Sequence, residues 1–103
     1  MIMLLVVSDT CPWCKKLVRT VLTKKNIKSA VFKDFVPVVV KNYDKTSYPQ
    51  EYRSTRIPTV NYINPVNGSA VWESIGFRKK KQFLSDIKEA KISLKEEDEE
   101  EGD

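Results

Sequence analysis

Six consecutive apolar residues, Ile2-Met3-Leu4-Leu5-Val6-Val7, open the chain and stop abruptly at Ser8. A short, continuous apolar run reads as a strand buried on both faces. Beyond Cys11 the pattern changes: Leu17, Val18, Val21 and Leu22 recur at helical spacing, which predicts a helix over 11–23. Ile27, Ala30, Val31 and Phe35 repeat every three to four residues and predict a second helical segment over 27–34. Phe35-Val36-Pro37-Val38-Val39-Val40 is β-branched and apolar; Pro37 cannot donate to a ladder, which places it at the strand start or on a free edge. Strand, helical crossover and strand make a parallel βαβ unit. Ser47 is a candidate cap for a short helix through residue 52, with Pro49 in its first turn.

The second half alternates instead. Residues 59–63 predict a strand, Asn67-Gly68 within 64–68 a hairpin turn, and residues 69–75 the returning strand. Gly76 ends it, and Phe83, Leu84, Ile87 and Ala90 share one face of a closing helix over 78–91. The order β-α-(α)-β-α-β-β-α predicts an α/β domain: a mixed four-stranded sheet with helices on both faces.

Charge divides the chain in two. The net +4 hides seven acids within residues 96–103, against 18 Lys and Arg and seven acids in the remainder. A run of like charges without apolar residues cannot order itself by burial. Residues 1–95 are therefore read as the domain and 96–103 as a disordered, solubilising acidic tail. The lysines are otherwise scattered except at Arg78-Lys79-Lys80-Lys81, read as a solvated helix face, so no nucleic-acid partner is expected. No stretch of about 20 apolar residues is present to span a membrane. A single small domain is expected to be a monomer.

The chemistry sits where the first strand meets the first helix. Both cysteines lie in Ser8-Asp9-Thr10-Cys11-Pro12-Trp13-Cys14-Lys15-Lys16. Cys11 falls at a helix N-terminus, where unpaired N–H groups and the macrodipole favour the reactive thiolate. Cys14 follows one turn later, within reach of a small disulfide ring, and Pro12 suits the first helical turn. With no His and no further Cys, a structural zinc site within one chain lacks ligands, so no metal is expected. Asp9 is read as a helix cap, Lys15 and Lys16 as solvated first-turn lysines, and Trp13 as an exposed apolar lip.

Cys11-Pro12-Trp13-Cys14 between strand and helix, Ile57-Pro58-Thr59 before the next strand, and Gly76 after the last strand together resemble a thioredoxin-fold protein over about residues 2–91. The flanking Ser-Asp-Thr and Phe-Val-Pro-Val are most similar to bacterial thioredoxin-like proteins of the thiol:disulfide interchange type, many of them exported; this inclines the compartment to the periplasm with a leader removed. The resemblance implies a cis Ile57–Pro58 bond beside the dithiol. It also implies catalytic roles for Cys11 and Cys14, substrate binding by Trp13, Ile57, Pro58 and Gly76, and tuning by Pro12. No cofactor is implied, and the partners are protein disulfides or dithiols plus an upstream redox partner.

The chain departs from the family in several places. Thr10 precedes Cys11 where classical thioredoxins carry Trp. Leu5 stands where they bury an acid, and their N-terminal strand and helix are missing, so the fold is expected to be minimal. Glutaredoxins share Pro12 but not the Ile-Pro-Thr order, and their Gly-Gly glutathione segment is absent. Two alternatives follow: a redox-inactive thioredoxin-fold binding module whose cysteines staple a helix, and a glutaredoxin-like, glutathione-dependent or iron–sulfur-holding protein.

Overall fold

In the computed structural model, residues 1–44, 46–53 and 56–101 are described. The apolar run forms β1 (Ile2–Val7). It leads to α1 (Pro12–Leu17), which continues as a π-helical turn over Val18–Leu22. There Thr23 N–H reaches back five residues to the Val18 carbonyl at 3.2 Å. An extended Lys24 separates this segment from α2 (Lys25–Asp34), which starts two residues earlier than the apolar spacing indicates. β2 (Val36–Lys41), a 3-10 turn (Gln50–Tyr52), β3 (Thr59–Ile63), β4 (Ala70–Ile75) and α3 (Lys80–Glu101) complete the order.

The strands form one mixed sheet in the order β2-β1-β3-β4, with β1 and β2 parallel and the other pairs antiparallel. β2 is an edge strand, as Pro37 requires. Val36 N–H bonds inward to the Met1 carbonyl at 2.8 Å. Since alternate residues of a parallel strand face alternate neighbours, Pro37 turns its missing N–H to the free edge and costs the ladder nothing.

The two faces of the sheet are covered unequally. Met3, Leu5 and Val7 of β1 and Val60 and Tyr62 of β3 pack with Cys14, Leu17, Val21, Ile27, Val31, Phe83 and Ile87, so all three helices meet on one face. The alternate residues Leu4, Val6 and Ile63 meet Tyr48 and Tyr52 on the other, where the segment around the 3-10 turn is the cover. Ser47 does not cap this turn; its hydroxyl donates to the Asp44 carbonyl at 3.1 Å, and Pro49 precedes the first helical residue.

Of the expected disordered tail 96–103, residues 96–101 belong to a helix, and 102–103 lie outside the described residues. α3 runs through Glu101, although acids at a helix C-terminus oppose the macrodipole. Glu97 supplies the compensation: its carboxylate accepts from Asn64 Nδ2 at 2.9 Å, Asn67 Nδ2 at 2.8 Å and Ser69 Oγ at 3.0 Å. These donors belong to the β3–β4 turn, so the helix end is tied to the hairpin. At its start, α3 begins after Lys79, whose N–H donates to Gln82 Oε1 at 2.9 Å and whose carbonyl accepts the first helical bond, while Arg78 folds back on buried Asp86 with two bonds of 2.8 and 3.0 Å.

Two predictions follow from this packing. Phe83 is 1% exposed, and Phe83→Ala should lower unfolding free energy by about 3–5 kcal/mol in urea titration; a loss below about 1 kcal/mol would contradict the core described above. The Asn67 and Asn64 hydrogen bonds hold the Glu97 carboxyl below its ordinary value of 4.5. Its contribution is therefore present above that value and lost as pH falls through the lower folded one. Amide exchange in the last two turns of α3 should be faster in Glu97→Ala than in the wild type near neutral pH. The difference should vanish only below the ordinary glutamate range; its disappearance above pH 4.5 would contradict the anchor.

Candidate redox site

The register sets the site. Val7 pairs with Lys41, Val6 with Thr59, and Thr59 with Ile75, so the carboxyl ends of β1, β2 and β4 and the start of β3 lie together. Cys11, Ile57-Pro58 and Gly76 each sit just outside these strand ends. Residues separated by 65 positions are thereby brought to one edge of the sheet.

Cys11 is the N-cap residue of α1, with extended φ/ψ of −92° and 109°, and Pro12 occupies the first turn. Cys11 and Cys14 form a disulfide with Cα atoms 5.2 Å apart. Cys14 N–H donates to Cys11 Sγ at 3.1 Å, so the sulfur takes the place that a Ser or Asp oxygen fills at ordinary N-caps. This corrects the reading of Asp9 as the cap. Both cysteines are largely buried, Cys11 8% exposed and Cys14 3%, with Cys14 packed into the helical core.

Asp9 instead accepts from Lys41 Nζ at 2.6 Å and Tyr43 OH at 2.9 Å, binding the loop that carries Cys11 to the end of β2. The Lys41 bond, then that of Tyr43, holds the Asp9 carboxyl below the usual aspartate range. Asp9 is thus a positioning residue and a poor proton acceptor. It is solvent-exposed, so salt screens the pair.

The Ile57–Pro58 bond is cis, as the resemblance implied. The Ile57 carbonyl oxygen lies 3.9 Å from Cys11 Sγ, while the Pro58 carbonyl accepts from Gly76 N–H at 2.7 Å. Gly76 has φ of +86°, and a Cβ built on it meets nothing within 4 Å. Glycine is used there for its left-handed backbone, and the space beside it stays open. Trp13, Ile57, Gly76 and Phe77 line a shallow groove of about 380 Å³ next to the disulfide. Trp13 is 56% exposed, in keeping with its reading as a lip.

Every site residue named from the sequence is therefore gathered at this edge. Phe77 was missed, and Lys16 was read only as a solvated first-turn lysine. The Phe77 ring lies 5.8 Å from that of Trp13, and Lys16 Nζ stands 5.1 Å and 5.0 Å from the two ring centroids. The signal available for Phe77 was its place directly after Gly76; Lys16 lies one turn after Trp13 on the same face of α1.

Among the described residues no helix is long and apolar enough to cross a membrane, and no three His, Cys, Asp or Glu side chains cluster to hold a metal.

Comparison with known proteins agrees with this geometry. Curated proteins include none that matches the sequence. A solved thioredoxin from Thermus thermophilus superposes with a TM-score of 0.73 at 22% identity, covering 90% of this chain and 75% of its own, which shows a shared fold. The family model of the thioredoxin-like domain matches residues 1–91. From β1 to the first half of α3, with its Cys-Pro-Trp-Cys disulfide at the strand ends, this chain belongs to the thioredoxin-like family.

Proposed function

We propose that the chain is a thiol:disulfide oxidoreductase acting on partner proteins, with Cys11 as nucleophile and Cys14 as resolving thiol. One observation carries this reading. Cys11 Sγ receives the Cys14 N–H and lies 3.9 Å from the carbonyl of Ile57, which lines the groove with Trp13 and Gly76. An N–H directed at sulfur favours the thiolate over the thiol.

In the reduced protein, Cys11 thiolate attacks one sulfur of a partner disulfide. A Cys11–partner bond forms, the partner S–S bond breaks, and the departing thiolate takes a proton from solvent. Cys14, deprotonated, then attacks Cys11 Sγ, releasing the second partner thiolate and restoring the Cys11–Cys14 bond. Two electrons pass to the partner; reversed, the same steps oxidise a dithiol. The Ile57 backbone, held by the buried Pro58, and the groove floor at Gly76 suit an extended strand of the partner beside Cys11, with Trp13 supplying apolar contact. Pro12, between the cysteines, sets how the pair is held and so tunes its potential.

Trapping tests the assignment of roles. Cys14→Ser should accumulate a covalent mixed disulfide through Cys11 when the reduced variant meets a disulfide-bonded protein, visible as a mass adduct stable without reductant. Cys11→Ser should form none. Adducts on Cys14 alone, or on neither cysteine, would leave the pair as a structural staple of the kind a redox-inactive binding module would carry. Trp13→Ala should slow exchange with a protein disulfide about tenfold or more while affecting hydroxyethyl disulfide little, because it removes the exposed apolar wall of the groove and not the sulfur. Equal losses on both substrates would mean that the groove does not seat the partner.

A further inference from the structure

The surface around the groove has a consistent chemistry that disulfide exchange alone does not use. Its apolar wall is Trp13 and Phe77, and the Lys16 ammonium stands over both ring faces. An ammonium rests on aromatic faces by attraction to their quadrupoles. Lys16 makes no ion pair among the described residues, which leaves its charge to be met by an incoming group.

Most of the charges nearest the groove in sequence are basic. Lys15 follows the disulfide on α1, and Lys79, Lys80 and Lys81 follow Phe77. All four are exposed and make no ion pair among the described residues. Arg78, within the same run, is the exception, spent on Asp86. Of the acids at this end, Asp9 is occupied by Lys41 and Tyr43. Asp44, exposed after the end of β2, is an acid at the same edge. The acids of the last turns of α3, from Glu96 to Glu101, are at the far end of that helix, where Glu97 meets the β3–β4 turn. The lysines that follow Phe77 and the acids that end α3 therefore stand at opposite ends of that helix. Lys79, Lys80 and Lys81 are solvated where α3 begins, as their spacing suggested, and they follow directly on Phe77 of the groove wall.

The geometry points to an acidic polypeptide segment as the partner: an extended stretch with a large apolar side chain beside its disulfide cysteine and carboxylates within a residue or two. The apolar side chain packs on Trp13 and Phe77, a carboxylate meets Lys16, and Lys15 and Lys79 to Lys81 draw the segment in. This rests on the disulfide-exchange reading above. A polypeptide is favoured over a nucleic acid because the aromatic wall adjoins the sulfur and the Ile57 backbone, groups that a disulfide-bearing chain engages and a nucleic acid does not.

Two synthetic peptides test this, each with Phe beside a Cys carrying a β-mercaptoethanol mixed disulfide, one flanked by Glu and the other by Lys. Exchange with the reduced full chain is followed by quenched mass spectrometry, with neutral hydroxyethyl disulfide as a reference. The acidic peptide should react about tenfold or more faster than the basic one at low salt. That ratio should shrink towards one at about 0.5 M salt. Lys16→Gln and Lys80→Gln/Lys81→Gln should each reduce it at low salt, the ratio being read within each variant. Equal rates, a faster basic peptide, or a ratio untouched by both variants would overturn the acidic partner. A single-stranded oligonucleotide that binds more tightly than the acidic peptide would overturn it in favour of nucleic acid. If hydroxyethyl disulfide also fails to react, the redox reading falls and this inference with it; failure confined to peptide selectivity removes this inference alone.

Discussion

The hydrogen bond from Cys14 N–H to Cys11 Sγ joins backbone and chemistry at one atom. A helix must satisfy the N–H groups of its first turn, and here a sulfur does so. The same sulfur is thereby fixed at the rim of the sheet, with a donor directed at the charge it would carry as a thiolate. Displacing it would uncap α1 and move the disulfide together. The rest of the molecule holds that turn still: Leu17 and Val21 anchor the helix in the core, and Asp9 fastens the preceding loop to Lys41 and Tyr43.

The sheet does its part through direction. β1, β2 and β4 all end at the same edge, and β3 begins there, so three distant chain segments converge on it. Gly76 N–H on the Pro58 carbonyl locks two of them together. The Arg78–Asp86 pair then fixes the path from Gly76 into α3, holding Phe77 against Trp13. At the opposite pole, Glu97 binds the hairpin and keeps the acidic end of α3 in place.

Much of this was legible in the sequence because it rests on local pattern. The continuous run 2–7, the alternation of 59–63 and the Asn67-Gly68 turn each gave an element close to its observed bounds, and Pro37 announced an edge strand. The gathered site residues were readable because two short motifs and a glycine carry them. What escaped depends on side chains meeting across the fold. Glu97 looks like one acid among many until Asn64, Asn67 and Ser69 are set beside it. Asp9 looks like a cap, since nothing local reveals Lys41 and Tyr43, 32 and 34 residues away. The π-helical turn has no signature in the apolar spacing, because Leu17 and Val21 face the core in either geometry.

The central claim is that Cys11 and Cys14 are a reversible redox couple and not a staple. Its most direct test is equilibration of the full chain against glutathione buffers of graded ratio, with the dithiol fraction read by alkylation and mass. The account predicts a reversible two-electron transition between about −270 mV and about −120 mV, the span of proteins that exchange disulfides with partners. A pair that does not equilibrate, or that stays oxidised well below about −300 mV, would be a structural disulfide and would contradict it.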